Sequence, residues 1–352
     1  MAFHAGILRF LAEQRKFEAI SEISTVSGAS LLVGLIFARS NMIWPSSSAY
    51  LSEVLPKVRR TLTCDDLQAT ATARLLFWPP NWRFMLSRAN VVAQTIASTW
   101  KIRSALADLP ARPVWSINGT TAETGKRFRF KGTDFGDYEL GYASSARFPL
   151  AAAMAVSAAF PVGIGPLAIR TRDHAWMKRP WGAKNSAAKA TKLAYNRIHI
   201  YDGGVYDNLG LEPFYDAGKG ASKVAHRIIV SDAGRPLERG FNLPALHPFR
   251  VRRLMDVMSD QTRSLRVRGF VEYLRRGGLG AYLQIGMYGP QVLAGGTPPV
   301  SSEVDWRIDS AAADQLRCYP TDLSAIEPGM FDLIERHGYE VALANQLTYG
   351  YL

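Results

Sequence analysis

Cysteine is all but missing from this chain, which holds only Cys64 and Cys318 among its 352 residues. Two thiols so far apart exclude a disulfide-stapled scaffold and a cysteine-built zinc site, so packing must hold the fold together. Long apolar runs are equally scarce. The longest of note, Leu31–Ala38, is closed by Arg39 and falls far short of the roughly 20 residues that span a bilayer. No basic leader, apolar stretch and small-residue cleavage site occur together between Met1 and Leu11. A secretory signal is therefore not expected, and the expected compartment is the cytoplasm, with peripheral contact to a membrane left open. Acid is the minority charge: 30 Asp and Glu face 42 Lys and Arg, a net of +12. Such a field favours anionic partners, phospholipid headgroups or nucleic acid. The second has no supporting motif, since helix-turn-helix, zinc-finger and RNA-binding aromatic signatures are all lacking, and no nucleic-acid partner is expected.

What the chain does contain is a globular composition, 47% apolar, 20% charged and 11% aromatic, which excludes a disordered, collagen-like or coiled-coil protein. Residues 1–352 read as one domain. His4 to Lys16 carries Ile7, Leu8 and Leu11 on one stripe opposite its charges, predicting an amphipathic helix. Ile20 to Ser27 is β-branched and stops at Gly28, predicting a strand that turns sharply into a buried helix from Leu31. Residues 40–110 read as a helical, cap-like segment, broken at 77–86 by Pro79 and Pro80 amid four aromatics; core or loop packing and a lipid-contacting cap both fit that cluster. Val114–Asn118 and Arg127–Lys131 predict a hairpin around Glu123-Thr124-Gly125-Lys126, and Leu150–Ala159 a helix stopped by Phe160-Pro161.

Residues 170–197, with eight basic side chains against Asp173, read as a basic surface insertion. Arg250–Arg276 is a second basic stretch, with apolar residues at helical spacing, and 250–352 reads as a C-terminal helical extension. Each basic run fits a solvated face or a phosphate-binding surface. Ile198–Tyr201 and Arg227–Val230 are further strand candidates, and a helix is predicted over Phe331–Gln346. Strands alternating with helices argue for a layered α/β fold with a mainly parallel sheet.

The chemistry centres on Ser30 and Asp202. A serine on an abrupt strand-to-helix turn presents its hydroxyl beside free backbone N–H groups, where charge develops in acyl transfer. Gly28 and Ala29 supply the small residues that such a turn needs before Ser30, whereas Leu32 follows it where a glycine would fit. A plain helix-capping role for Ser30 remains open. Asp202 ends a strand and precedes Gly203 and Gly204, at the sheet edge where ligands bind in open α/β folds. Once burial raises its pKa it could deprotonate a serine, although a turn aspartate bonded to its own backbone also fits.

Taken in order, His4-Ala5-Gly6-Ile7-Leu8-Arg9-Phe10-Leu11, Val26-Ser27-Gly28-Ala29-Ser30, Ala155-Val156-Ser157-Ala158-Ala159-Phe160-Pro161 and Asp202-Gly203-Gly204-Val205-Tyr206-Asp207-Asn208-Leu209-Gly210 resemble the patatin-like phospholipases. Tyr319–Leu323 and His337–Tyr339 resemble the tail of bacterial members. The resemblance implies a three-layer α/β/α sandwich with a mainly parallel central sheet. It also implies a Ser-Asp dyad that cleaves acyl esters of phospholipids or related lipids through an acyl-enzyme, with no cofactor and no metal. Carried over by position, Ser30 is the nucleophile, Asp202 the base, and Gly28, Ala29 and Leu31 the elbow and oxyanion positions, with Gly203, Gly204 and Asn118 in support. An anionic membrane surface is the implied partner.

The family's Gly-rich oxyanion loop precedes the segment matching His4–Leu11, where this sequence has only a few residues. The expectation is a late-assigned start or a truncated copy, with an unpaired sheet edge and turnover cut by about 10²–10³ for each missing donor. Two other readings stay open. One is a Ser-His-Asp hydrolase drawing on His4, His174, His199, His226, His247 or His337. The other is a catalytically impaired lipid-binding protein.

Overall fold

The computed structural model describes residues 1–159, 164–180, 183, 185–241, 244, 247, 249–296 and 304–352. The chain opens with α1 (Ala2–Glu13), whose Phe3, Ile7, Phe10 and Leu11 are buried at helical spacing. Strand β1 (Glu22–Thr25) follows, and α2 (Gly28–Arg39) leaves it after only Val26 and Ser27. Every residue of α2 from Ser30 to Phe37 is buried, the state of a helix that is apolar all round. The strand is shorter than Ile20–Ser27, and the helix starts three residues ahead of Leu31. Ser30 therefore lies inside the first helical turn rather than on the bend.

Residues 40–110 are helical: α3 (Ser47–Ala49), α4 (Leu55–Cys64), α5 (Leu67–Phe77) and α6 (Ala89–Thr99). Asp66 caps α5 by accepting the Ala69 N–H at 2.6 Å. Pro79 and Pro80 then open a single 3₁₀ turn, Pro79–Phe84, between α5 and α6.

The main sheet is formed by β1, β2 (Val114–Thr121), β3 (Arg127–Phe130), β4 (Asp134–Asp137), β5 (Gly141–Ser144), β6 (Leu167–Arg170), β7 (Trp176–Lys178), β8 (Lys189–Thr191) and β9 (Arg197–Asp202). Its order is β6-β9-β2-β3-β4-β5-β7-β8, with β1 joined to β2. Among the described residues of this sheet only the β1–β2 pair is parallel, so the mainly parallel sheet expected from the sequence is replaced by a mainly antiparallel one. The physical reason is connection length. β1 reaches β2 through a long helical crossover, whereas β2 to β5 follow one another through short turns that reverse the chain. Residues 170–197 also depart from expectation. They contribute the end of β6, all of β7 and β8 and the start of β9, with Trp176 buried, so they belong to the sheet; Lys184 lies outside the described residues. Helix α7 (Leu150–Ser157) packs on α2, α6 and β2. Its expected stop at Phe160-Pro161 lies outside the described residues.

The rest of the chain runs through α8 (Gly204–Asp207), a short hairpin of β10 (Tyr215–Asp216) and β11 (Ala221–Ser222), β12 (Ile228–Asp232), α9 (Phe249–Arg275), β13 (Gly280–Gln284), α10 (Gly289–Ala294), α11 (Ser310–Leu316) and α12 (Pro328–Tyr349). β12 and β13 pair in parallel across α9. Residues 250–352 are thus not an appended helical tail, because they supply β13 to a sheet and α12 to the core. A Cβ on Gly6 would lie 1.8 Å from the Glu335 carbonyl oxygen, and one on Gly338 2.0 Å from that of Phe3. Helices α1 and α12 cross backbone to backbone through these two glycines.

Candidate active site

The register of β2 explains why two distant residues meet. β3 occupies one edge of β2 from Ile117 to Thr120, which leaves β1 and β9 to share the other. β1 runs parallel to β2 and ends with Thr25 opposite Ile117. β9 runs antiparallel and ends with Asp202 opposite Gly119. The two C-terminal ends approach head-on at Asn118. The Asn118 amide binds the β1 side, donating to the Thr25 carbonyl and the Ser24 hydroxyl, both at 2.9 Å. On the β9 side, a Cβ on Gly203 would stand 2.6 Å from the Asn118 carbonyl oxygen, so only glycine lets the chain turn there.

The bend after β1 is made by Ser27. Its φ of 52° and ψ of −128° are a strained conformation for a residue with a side chain. The strain is held by a donated pair of bonds from the Ser27 N–H to the Ser157 carbonyl (2.8 Å) and hydroxyl (3.1 Å). Ser27 is partly exposed, and its side chain faces the Asp202 carboxylate closely enough to hold that carboxyl's pKa down. Ser30, the position expected to carry the nucleophile, is brought to neither. It is 0% exposed, and its hydroxyl is spent on Thr25 Oγ1 and Ser157 Oγ, each at 2.8 Å. Thr25 Oγ1 in turn accepts Trp115 Nε1–H at 2.8 Å. Ser30 is therefore a support beneath the bend, one helical turn past it. The sequence held a signal for Ser27: it directly precedes the small pair Gly28-Ala29, the place where a tight turn needs room, and with Ser27 at the bend Leu32 no longer disturbs the pattern.

Asp202 is 3% exposed. Burial pushes its carboxyl up to about 7, opposed by the Gly204 N–H, which donates to Oδ1 at 2.7 Å, and by the Ser27 side chain. Its own backbone is fixed by Thr120 Oγ1, which donates to the Asp202 carbonyl at 2.9 Å. A carboxyl poised near neutrality beside a serine hydroxyl can take that proton and return it.

Donors for a developing oxyanion come from the backbone. The Gly28 N–H, first in α2, makes no hydrogen bond among the described residues, whereas the N–H groups of Ala29 and Leu31 are bonded to Val26 and Ser27. Leu31 is fully buried in the core, so of the three expected elbow positions Gly28 is the one whose N–H is available. The Met1 side chain lies 3.5 Å from the position of a Cβ on Gly28, so the N-terminus of α1 converges with that of α2 on the bend. Both dipoles present their positive ends there.

Ser27, Gly28 and Asp202 open into a cavity of about 1960 Å³. One wall is apolar, with Leu32, Leu75, Val91, Val92 and Ile164, and another is formed by β1 and β12, each of which has a single strand neighbour among the described residues. His4 and His226 also line this cavity, but five of the six histidines have partners away from Ser27 and Asp202. His4 bonds Ser231 and burial holds its pKa at about 3; His337 accepts the Gly286 N–H and is held at about 4. His199 pairs with Glu123, His226 with Glu22, and His174 packs edge-on to Phe135. None of these contacts reaches Ser27, Ser30 or Asp202. No group of three or more His, Cys, Asp and Glu side chains among the described residues could hold a metal ion.

A family model described as patatin-like phospholipase covers residues 1–215, more than half of the chain. No curated protein matches it.

Proposed function

The chain belongs to the patatin-like phospholipase family, and from that premise we propose that it hydrolyses acyl esters of lipids with Ser27 as nucleophile and Asp202 as base. Asp202 takes the hydroxyl proton as Ser27 Oγ bonds to the ester carbonyl carbon, and the carbonyl oxygen becomes an oxyanion held by the Gly28 N–H. Collapse breaks the bond to the alcohol, which leaves with the proton from Asp202. Water then gives a proton to Asp202 and its oxygen to the acyl carbon. Ser27 leaves with that proton, and the fatty acid is released.

The observation that carries this reading is the strained, partly exposed Ser27 beside a buried carboxyl that burial pushes up to about 7. The apolar cavity wall suits an acyl chain, and a net charge of +12 suits substrates in an anionic membrane. Hydrolysis of a short p-nitrophenyl ester tests it. Ser27→Ala is expected to lower kcat/KM by at least about 10³-fold. Ser30→Ala keeps the nucleophile and is expected to remain within about tenfold of the parent, through a looser elbow. Retained turnover in Ser27→Ala, with loss in Ser30→Ala, would restore Ser30 as the nucleophile. A folded parent that binds lipid yet releases no fatty acid would leave the lipid-binding reading.

A further inference from the structure

The turn between α5 and α6 exposes apolar side chains that the fold does not use. Phe77 is 81% exposed, Trp78 61%, Trp82 57% and Leu86 87%, with Leu76 and Met85 about half exposed beside them. Single exposed apolar residues are ordinary on a protein surface, but six within eleven consecutive positions form a patch. The turn is built to stand where it does. Asn81, buried, donates its amide to the Arg74 carbonyl at 3.2 Å, and Trp82 Nε1–H donates to the Leu76 carbonyl at 3.2 Å. The 3₁₀ turn is opened by two prolines, which restrict its backbone further.

Two further observations identify what the patch meets. Its base is the cavity wall: Leu75, Leu76 and Met85 line the same cavity as Ser27 and Asp202. Along the chain it is flanked by one sign of charge, since Arg74, Arg83, Arg88, Lys101 and Arg103 occur between Asp66 and Asp108 and no acid does. Aromatic side chains flanked by cations are the composition that partitions into the headgroup region of a bilayer, and the cations select anionic headgroups. No helix among the described residues is long and apolar enough to cross a membrane, so contact here is with one leaflet.

We propose that residues 76–86 are a membrane-docking turn that enters the interface of an anionic bilayer and sets the mouth of the cavity against the lipid. The purpose of this surface rests on the acyl-hydrolase reading, but its test does not. The full chain is mixed with vesicles of ether-linked phosphatidylcholine, with or without ether-linked phosphatidylglycerol; these contain no acyl ester, so binding is read without turnover. The parent is expected to float with the anionic vesicles more than with the neutral ones, and bromine-labelled lipid is expected to quench its tryptophan fluorescence. The combined variant Phe77→Ser, Trp78→Ser and Leu86→Ser is expected to lower vesicle affinity by about tenfold or more, with a loss of quenching. Its hydrolysis of a short soluble ester is expected to match the parent, because those three side chains do not line the cavity. Undiminished vesicle binding by the variant, or a parent that ignores both vesicles, would overturn the proposal. So would light scattering that shows a parent dimer broken by the variant, since a second copy would then cover the patch. Loss of esterase activity on Ser27→Ala with no vesicle binding would sink the docking turn alone, and vesicle binding without esterase activity in the parent would sink the hydrolase reading alone.

Discussion

At the scale of single residues, the proposed site is defined by two unfavourable placements side by side. Ser27 adopts a positive φ that costs on the order of 1–3 kcal/mol, and Asp202 is buried with a carboxyl pushed up to about 7. The raised value has a consequence for stability. Between the ordinary carboxyl range and pH 7 the folded protein keeps a proton that the unfolded chain has released, so stability falls as pH rises through that window. Above it, the ionised Asp202 costs about 4 kcal/mol. Asp202→Asn is therefore expected to abolish ester hydrolysis and yet melt at a higher temperature than the parent at pH 8, with the difference shrinking toward pH 4. A variant that melts earlier at pH 8 would contradict the burial account. In the parent, kcat/KM should climb with pH through a midpoint near 7 as the base ionises; a flat profile from pH 5 to 8 would exclude Asp202 as that base.

At the scale of elements, the helices were legible where one face alternates with charge, as in α1, and where a run is wholly apolar, as in α2. The misreading of the bend was a matter of three residues. A strand ending at Thr25 and a helix starting at Gly28 leave room for only Val26 and Ser27 between them, and local pattern does not distinguish the bend from the first helical turn. The crossing of α1 on α12 was not legible at all, because Gly6 and Gly338 lie in separate helices whose contact depends on the whole fold. Gly338→Ala would drive a methyl into the Phe3 carbonyl. Overpacking of this kind costs about 1–3 kcal/mol, occasionally more, and a lower Tm with soluble-ester activity retained below the transition is expected. An unchanged melt would mean that the helices separate freely.

At the scale of the whole molecule, the described residues form a large core and a smaller cluster around Tyr215, Ile228, Val230, Phe270 and Tyr282. The smaller one is fastened by a polar group: Asp232 Oδ2 accepts Arg263 Nε at 2.9 Å, Arg263 Nη2 at 2.8 Å and the Tyr282 hydroxyl at 2.6 Å. Arg263 and Asp232 are nearly inaccessible, at 9% and 2% side-chain exposure. Arg263→Met would leave the Asp232 charge buried and unpaired, at a cost of about 3–5 kcal/mol. Hydrogen exchange should then show faster opening of β12 and β13 with α1 and α12 little changed; uniform acceleration would mean that the two clusters open as one.

The sequence by itself determined the α/β class and the family and pointed to the acid of the proposed site, because apolar periodicity, β-branched runs and an Asp-Gly-Gly strand end are properties of short segments. Only the tertiary structure decided which serine faces that acid and how the strands run. The meeting of Ser27 with Asp202 is made by two strands converging on one edge of β2, and strand direction follows from the lengths of connections between segments, which no single segment contains.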